Sequence, residues 1–290
     1  MADARAADPG TLERAGEAAA ASLPALLTEA ERVANSLAAG SHGRRRPGTG
    51  ETFWQYRDYA FGDAASAIDW RQSARSPSRY FVRQTEWETA ASVHLWADGG
   101  DGLDYASGEV TKRWRALVCA VALASLLVRA GERVGPMDAP ARGGRAGVTG
   151  LAERLLAPSR DPLPPLPPER ATRVVLLSDF YAETDAILTR LAAIRAAGRP
   201  CHLVQVSDPA EVSFPYVGRT VFASPSGAEQ REYGDARGVR DAYAAAREAH
   251  LGAISDACAR YGWTFLRHVT DAPLTPTLAS LHASMAQGQR

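Results

Sequence analysis

The chain has 290 residues, enough for one large domain or two ordinary ones, and its 46% hydrophobic and 23% charged content exclude disorder of the whole. Its 33 Lys and Arg balance 33 Asp and Glu, so no net field draws it to nucleic acid or to an anionic membrane. Three scattered cysteines, Cys119, Cys201 and Cys258, lack metal-ligand spacing and read as buried free thiols of a reducing cytosol.

The first ten residues, MADARAADPG, mix acids into a stretch with no apolar core and predict no signal peptide. In the Ala-rich segment 1–40, Leu23, Leu26, Leu27, Ala30, Val33 and Leu37 recur at three- and four-residue steps. They predict an amphipathic helix around Thr28–Ala38, with Pro24 near its first turn and Gly40 as its stop. The loop 41–50 carries Arg44, Arg45 and Arg46, which read as solvated because no nucleic-acid-binding signature accompanies them. Segment 41–91 then alternates aromatic and charged residues, from Phe53 to Trp87, and predicts a small β-rich element of short strands and turns.

From residue 92 the pattern changes. A strand, Ser92–Ala97, ends at Asp98, and a Gly- and Asp-rich loop leads to a helix over Thr111–Ala130 and a short extended piece from Glu132 to Gly135. Leu151–Leu156 is a short helical segment, and Pro158–Pro168 is polyproline-like connecting chain. The run Arg173–Leu177 reads as a strand covered on both faces and ends at Ser178 and Asp179. A helix over Thr184–Ala197 and a strand over His202–Val206 follow, the strand ending before Asp208. Beyond lie a β-like excursion (FPYVGRTVFAS), a long helix over Arg240–Tyr261, a strand over Trp263–His268 and a final helix over Thr275–Ala286. The most apolar helical stretch, Ala116–Val128, falls short of the roughly 20 residues of a membrane span, which predicts a soluble, cytoplasmic protein with no membrane insertion.

Strands alternating with helices over 92–290 predict an α/β domain: a parallel, Rossmann-type sheet with helices on both faces and a β insertion. Asp98, Asp179 and Asp208 each follow a strand end, at the edge where such sheets bind ligands. The sequence has no phosphate loop, no Gly-x-Ser-x-Gly elbow and no His-Glu-x-x-His helix, and its six histidines show no ligand spacing. His94 and His202 read as strand or core residues. A binding module is therefore expected, not an enzyme.

One run is more specific. Arg57-Asp58-Tyr59-Ala60-Phe61-Gly62-Asp63, then Ile68-Asp69-Trp70 and Ser73-Ala74-Arg75, resembles the signature of the domain of unknown function 58 family. Asp208-Pro209-x-Glu211, Pro215, Gly218, Arg240, Tyr243 and Thr270-Asp271-x-Pro273 extend the resemblance over about residues 45–285. The resemblance implies a von Willebrand factor A-like domain preceded by a small β element. It also implies work with a MoxR-type AAA+ ATPase in maturing a client complex of unknown identity. Many relatives carry N-terminal membrane helices; their lack here points to a cytosolic version.

Read physically, Arg57, Asp63, Asp69 and Arg75 lie among rings such as Trp70, where guanidinium groups pair with carboxylates and stack on aromatic faces. A partly buried ion-pair lattice pinning the small β element to the main sheet is expected, with a partner-binding surface or a catalytic role as the alternatives. The resemblance further implies a magnesium site of the form Asp-x-Ser-x-Ser, with a later Thr and Asp. Here the segment reads Asp98-Gly99-Gly100-Asp101-Gly102, so both serines are replaced by glycine. Asp98 and Asp179 match the aspartates, and Thr149 stands for the threonine. Two readings stay open: no bound metal, or magnesium held weakly by Asp98, Asp101 and Asp179. The second would make the alternative function a divalent-dependent hydrolase.

Overall fold

The computed structural model describes residues 9–40, 52–60, 63–76, 79–86, 90–157, 161–224 and 227–287. The arginines at 44–46, Phe61, Gly62, Trp87 and the side chain of Arg57 lie outside that description. The chain divides into two compact units, one of residues 44–90 and the other of residues 1–43 and 91–290.

Helix α1 spans Pro9–Gly40, three times the expected length, with Pro24 in its interior and not in its first turn. The Ala-rich stretch before Pro24 has the strongest helix propensity of any composition, and this outweighs the bond lost where Pro24 has no N–H to give Ala20. Leu26, Ala30, Val33 and Ala34 fall on one stripe of α1 and are buried.

In the small unit, β1 (Thr52–Asp58) pairs antiparallel with β2 (Phe81–Glu86), with a register shift between Phe53 and Gln55. Between them α2 (Trp70–Ser73) is a single turn, tied to β2 by the Phe81 N–H donating to Ser73 Oγ at 2.8 Å.

The large unit runs β3 (Ser92–Ala97), α3 (Lys112–Arg129), β4 (Arg133–Pro136), α4 (Gly144–Leu156), β5 (Arg173–Ser178), α5 (Thr184–Ala196) and β6 (Cys201–Ser207). It continues with α6 (Pro209–Ser213), the hairpin β7 (Thr220–Ala223) and β8 (Gln230–Tyr233), then α7 (Arg240–Tyr261), β9 (Thr264–Val269) and α8 (Leu274–Gln287). Five strands form one parallel sheet in the order β4-β3-β5-β6-β9. Both faces are covered, as the sequence predicts for a Rossmann-type α/β fold. Alternation along each strand sends Val93, Leu95, Val175, Leu177, Val204 and Val206 into one core with α1, α3, α4 and α8. Trp96, Val174, Leu176 and Leu203 enter a second core with α5 and α7.

Helix α3 is the pivot of the first core. Ala116 to Ala124 are all buried, because α1 covers the side of α3 that the sheet leaves free. A helix apolar all round is stable only when wrapped in this way. Helix α4 begins at Gly144, earlier than its apolar periodicity suggests. Gly147 makes that possible: a β-carbon there would come within 2.2 Å of the Arg142 carbonyl. All three cysteines are buried free thiols.

Candidate functional site

Numbering only its own strands in chain order, the sheet reads 2-1-3-4-5, so the winding direction reverses between β3 and β5. In doubly wound sheets the crevice outside the carboxyl ends of those two strands is the ligand site. Asp98 and Asp179 stand there, side by side in the sheet, because β3 and β5 pair in register from Val93–Arg173 to Ala97–Leu177. A cleft of about 1030 Å³ opens at this point, lined by Asp98, Asp101, Lys112, Asp179 and Glu211 on its polar side.

Each strand end is shaped by its own side chains. Asp98 accepts the Gly100 N–H on Oδ1 at 2.7 Å and the Ser178 hydroxyl on Oδ2 at 2.7 Å. The hydroxyl beside Asp98 comes from Ser178, the last residue of β5. Burial is the main cause that raises the pKa of Asp98, opposed by those two hydrogen bonds and assisted by the charge of Asp179. After Asp179 the chain turns through Phe180, a non-glycine residue at φ 55°, and the Tyr181 N–H donates back to Asp179 Oδ1 at 3.1 Å. The Phe180 ring is buried in the second core, which holds this costly conformation in place.

At the centre lies a residue the sequence reading did not single out. Lys112, in the first turn of α3, is only 2% exposed. Its ammonium donates to Asp179 Oδ2 at 2.8 Å and to Glu211 Oε1 at 2.6 Å, and lies 5.3 Å from the centre of the Tyr181 ring and 6.0 Å from that of Tyr105. Burial pulls its pKa down, but the two carboxylates outweigh burial and the net shift is upward. A cation in the first turn of a helix also works against the helix dipole. The position is intelligible only through the carboxylates it meets.

Glu211 is placed by α6. Asp208 caps this helix, accepting the Ala210 N–H at 2.8 Å, while Glu211 Oε2 accepts the Asp208 N–H at 2.9 Å. Asp208 also takes the N–H and the hydroxyl of Ser107, which fixes the loop before α3. Helix α6 ends at Phe214, in the left-handed region at φ 45°. Arg240 donates to the Phe214 carbonyl at 3.0 Å and the Tyr243 hydroxyl to the Glu211 carbonyl at 3.2 Å, so both hold this turn. The Phe214 ring packs on Tyr216, Phe222 and Tyr243, and the Tyr216 hydroxyl meets that of Tyr105 at 2.6 Å. The β7–β8 hairpin carries Phe222 and Tyr233 into this cluster, which forms the aromatic side of the cleft.

The donor set does not fit a divalent cation. Both oxygens of Asp98 accept hydrogen bonds from within the chain, and Asp179 and Glu211 are bridged by an ammonium at hydrogen-bond distance. Asp101 is exposed at the lip of the cleft, and Thr149 lies inside α4 and not on a rim loop. Among the described residues, no group of three or more His, Cys, Asp or Glu side chains could hold a metal ion.

The signature residues of the small unit are arranged differently. Asp69 caps α2, accepting the Gln72 N–H at 3.0 Å, and takes the Tyr56 hydroxyl at 3.2 Å. Asp63 accepts the Ala60 N–H at 2.9 Å. Trp70 is 62% exposed, edge-on to an exposed Tyr80, and Arg75 is exposed as well. Among the described residues, no helix is long and apolar enough to cross a membrane.

Residues 55–252, two thirds of the chain and most of the cleft with it, match the family described as "Protein of unknown function DUF58". The chain belongs to the DUF58 family. Curated relatives include the uncharacterized proteins Rv1480 and MT1527 of two Mycobacterium tuberculosis strains and Mb1516 of Mycobacterium bovis. Each is 28% identical over 295 residues, covering 93% of this chain and 90% of its own length. No solved structure matches the chain. The DUF58 match takes in both the signature segment of the small unit and the buried Lys112 centre of the large one.

Proposed function

We propose that this DUF58 protein is a non-enzymatic docking module. It works in the cytoplasm with a MoxR-type AAA+ ATPase in maturing a protein complex. The observation that carries the reading is the Lys112 centre: the acidic groups at the switch point are engaged by the chain's own ammonium, hydroxyl and amide groups. A reaction centre keeps a nucleophile, base or metal position open toward its substrate. This cleft instead offers a fixed shape, tyrosine and phenylalanine surface, and charge, which are the materials of a protein interface.

The partner assignment rests on the family resemblance and is open to direct trial. Calorimetry of the purified chain with the MoxR-type ATPase of the same genome should give a saturable complex with a Kd of about micromolar. Tyr216→Ala should weaken it by about tenfold while leaving the melting temperature within a few degrees. No heat at concentrations far above that Kd, with and without nucleotide, would sink the reading.

A further inference from the structure

The cleft is already built around one cation of the chain's own. Its inner end already holds a cation, the Lys112 ammonium, between two carboxylates and beside two tyrosine rings. Opposite charge and the negative faces of the rings replace the water that the ammonium has lost.

That cation answers only part of the negative charge. The cleft wall carries five carboxylates, Asp98, Asp101, Asp179, Glu211 and Glu229, against two bases, Lys112 and Arg231. Three negative charges are left over, and Arg231 is exposed on β8 with its charge in water. Burial raises the pKa values of Asp98 and Glu211, opposed at Glu211 by the Lys112 ammonium and at Asp98 by its hydrogen bonds, so the charge open to a ligand lies in the outer carboxylates, Asp101 and Glu229. Outward from Lys112 the wall continues in the same materials. Asp101 comes from the loop after β3, Glu229 from the turn of the hairpin, and the rings of Tyr216, Phe222 and Tyr233 from beside it. The volume, about 1030 Å³, has room for several side chains of an extended segment.

We infer that the cleft takes a basic segment of a partner protein, with an arginine or lysine side chain held between the outer carboxylates and the tyrosine rings. This rests on the docking reading for its biological setting, but its chemistry is tested on the chain alone. The chain labelled with 13C at tyrosine is titrated, by NMR, with acetyl-Gly-Arg-Gly-amide. Parallel titrations use the citrulline peptide, which has the same shape without the charge, the glutamate peptide, and agmatine as a small cation that is not a peptide.

The arginine peptide should shift tyrosine resonances that the Tyr216→Ala and Tyr233→Ala variants assign to the cleft. It should bind at least about tenfold more tightly than the citrulline peptide, and more weakly as salt is added. Asp101→Asn with Glu229→Gln, both at exposed positions that the fold does not use, should weaken it by about fivefold or more. Equal binding of the arginine and citrulline peptides, preference for the glutamate peptide, or no shift at the cleft tyrosines overturns the inference. Agmatine binding more tightly than the peptide does so too, because the cleft would then be a small-amine site. An ATPase that binds while the arginine peptide does not removes this inference and leaves the docking reading standing. The reverse result removes the docking reading alone.

Discussion

The two units handle the same residue types in opposite ways. In the small unit, Asp63 and Asp69 serve nearby backbone amides, and the aromatic pair Trp70 and Tyr80 faces water. In the large unit, Asp98, Asp179, Asp208 and Glu211 are drawn together from strand ends and helix starts far apart in sequence, and a buried lysine binds two of them. Local capping contributes about 1 kcal/mol wherever it occurs. A buried charge cluster is different in kind, since each member holds in place a group that would be costly to leave alone. Among the described residues, the charge cluster around Lys112 in the large unit is the more deeply buried of the two.

The contrast can be broken by substitution. Lys112→Met keeps the bulk of the side chain but abandons Asp179 and Glu211 inside the protein, and should cost about 3–5 kcal/mol in urea unfolding. Adding Asp179→Asn and Glu211→Gln to it should recover a large part of that loss. A single-variant cost below about 1 kcal/mol would mean that the ammonium is dispensable and the contrast false.

Acid offers the next largest effect. His94, His202 and His268 have lowered pKa values, chiefly through burial, the last two to about 4. Their folded-state values lie below the unfolded ones, so the stability they allow is present above about pH 6.5 and lost as the pH falls toward 4. Asp98 and Glu211 have raised values and act in the other direction, offsetting part of the loss. Unfolding near pH 5 should still take up more than one proton, read as the slope of unfolding free energy against pH. His268→Gln should remove acid sensitivity on the order of 2–3 kcal/mol by pH 4. An unchanged slope would show that His268 titrates normally in the fold.

The small unit should respond mildly. Asp69→Ala removes a helix cap and should cost about 1 kcal/mol, seen as faster amide exchange over residues 70–74. Trp70→Ala should stay within about 0.5 kcal/mol, as an exposed side chain does. A loss of several kcal/mol at Trp70 would place it in a buried contact and erase the difference between the units.

Most of the strand ends were legible in the sequence. Ser92–Ala97, Arg173–Ser178 and Cys201–Ser207 are short apolar runs, each closed by an acid, and helix α7 begins and ends where its composition says. The start of α1 was not, because proline was given more weight than the alanines before it. Helix α4 was not, because three glycines hide its first two turns. Lys112 was invisible for a deeper reason. A lysine opening a helix looks solvated, and its partners lie 67 and 99 positions away. Only its seat at the wrong end of the helix dipole hinted at a fixed counter-charge. Ser178 was read as the end of a strand, not as the donor to Asp98, eighty positions earlier.

The Lys112 centre has one further consequence. A positive charge joined to the backbone by four methylenes cannot be washed out, chelated or exchanged for another ion. The charge at the Lys112 position therefore does not vary with the supply of calcium, magnesium or manganese.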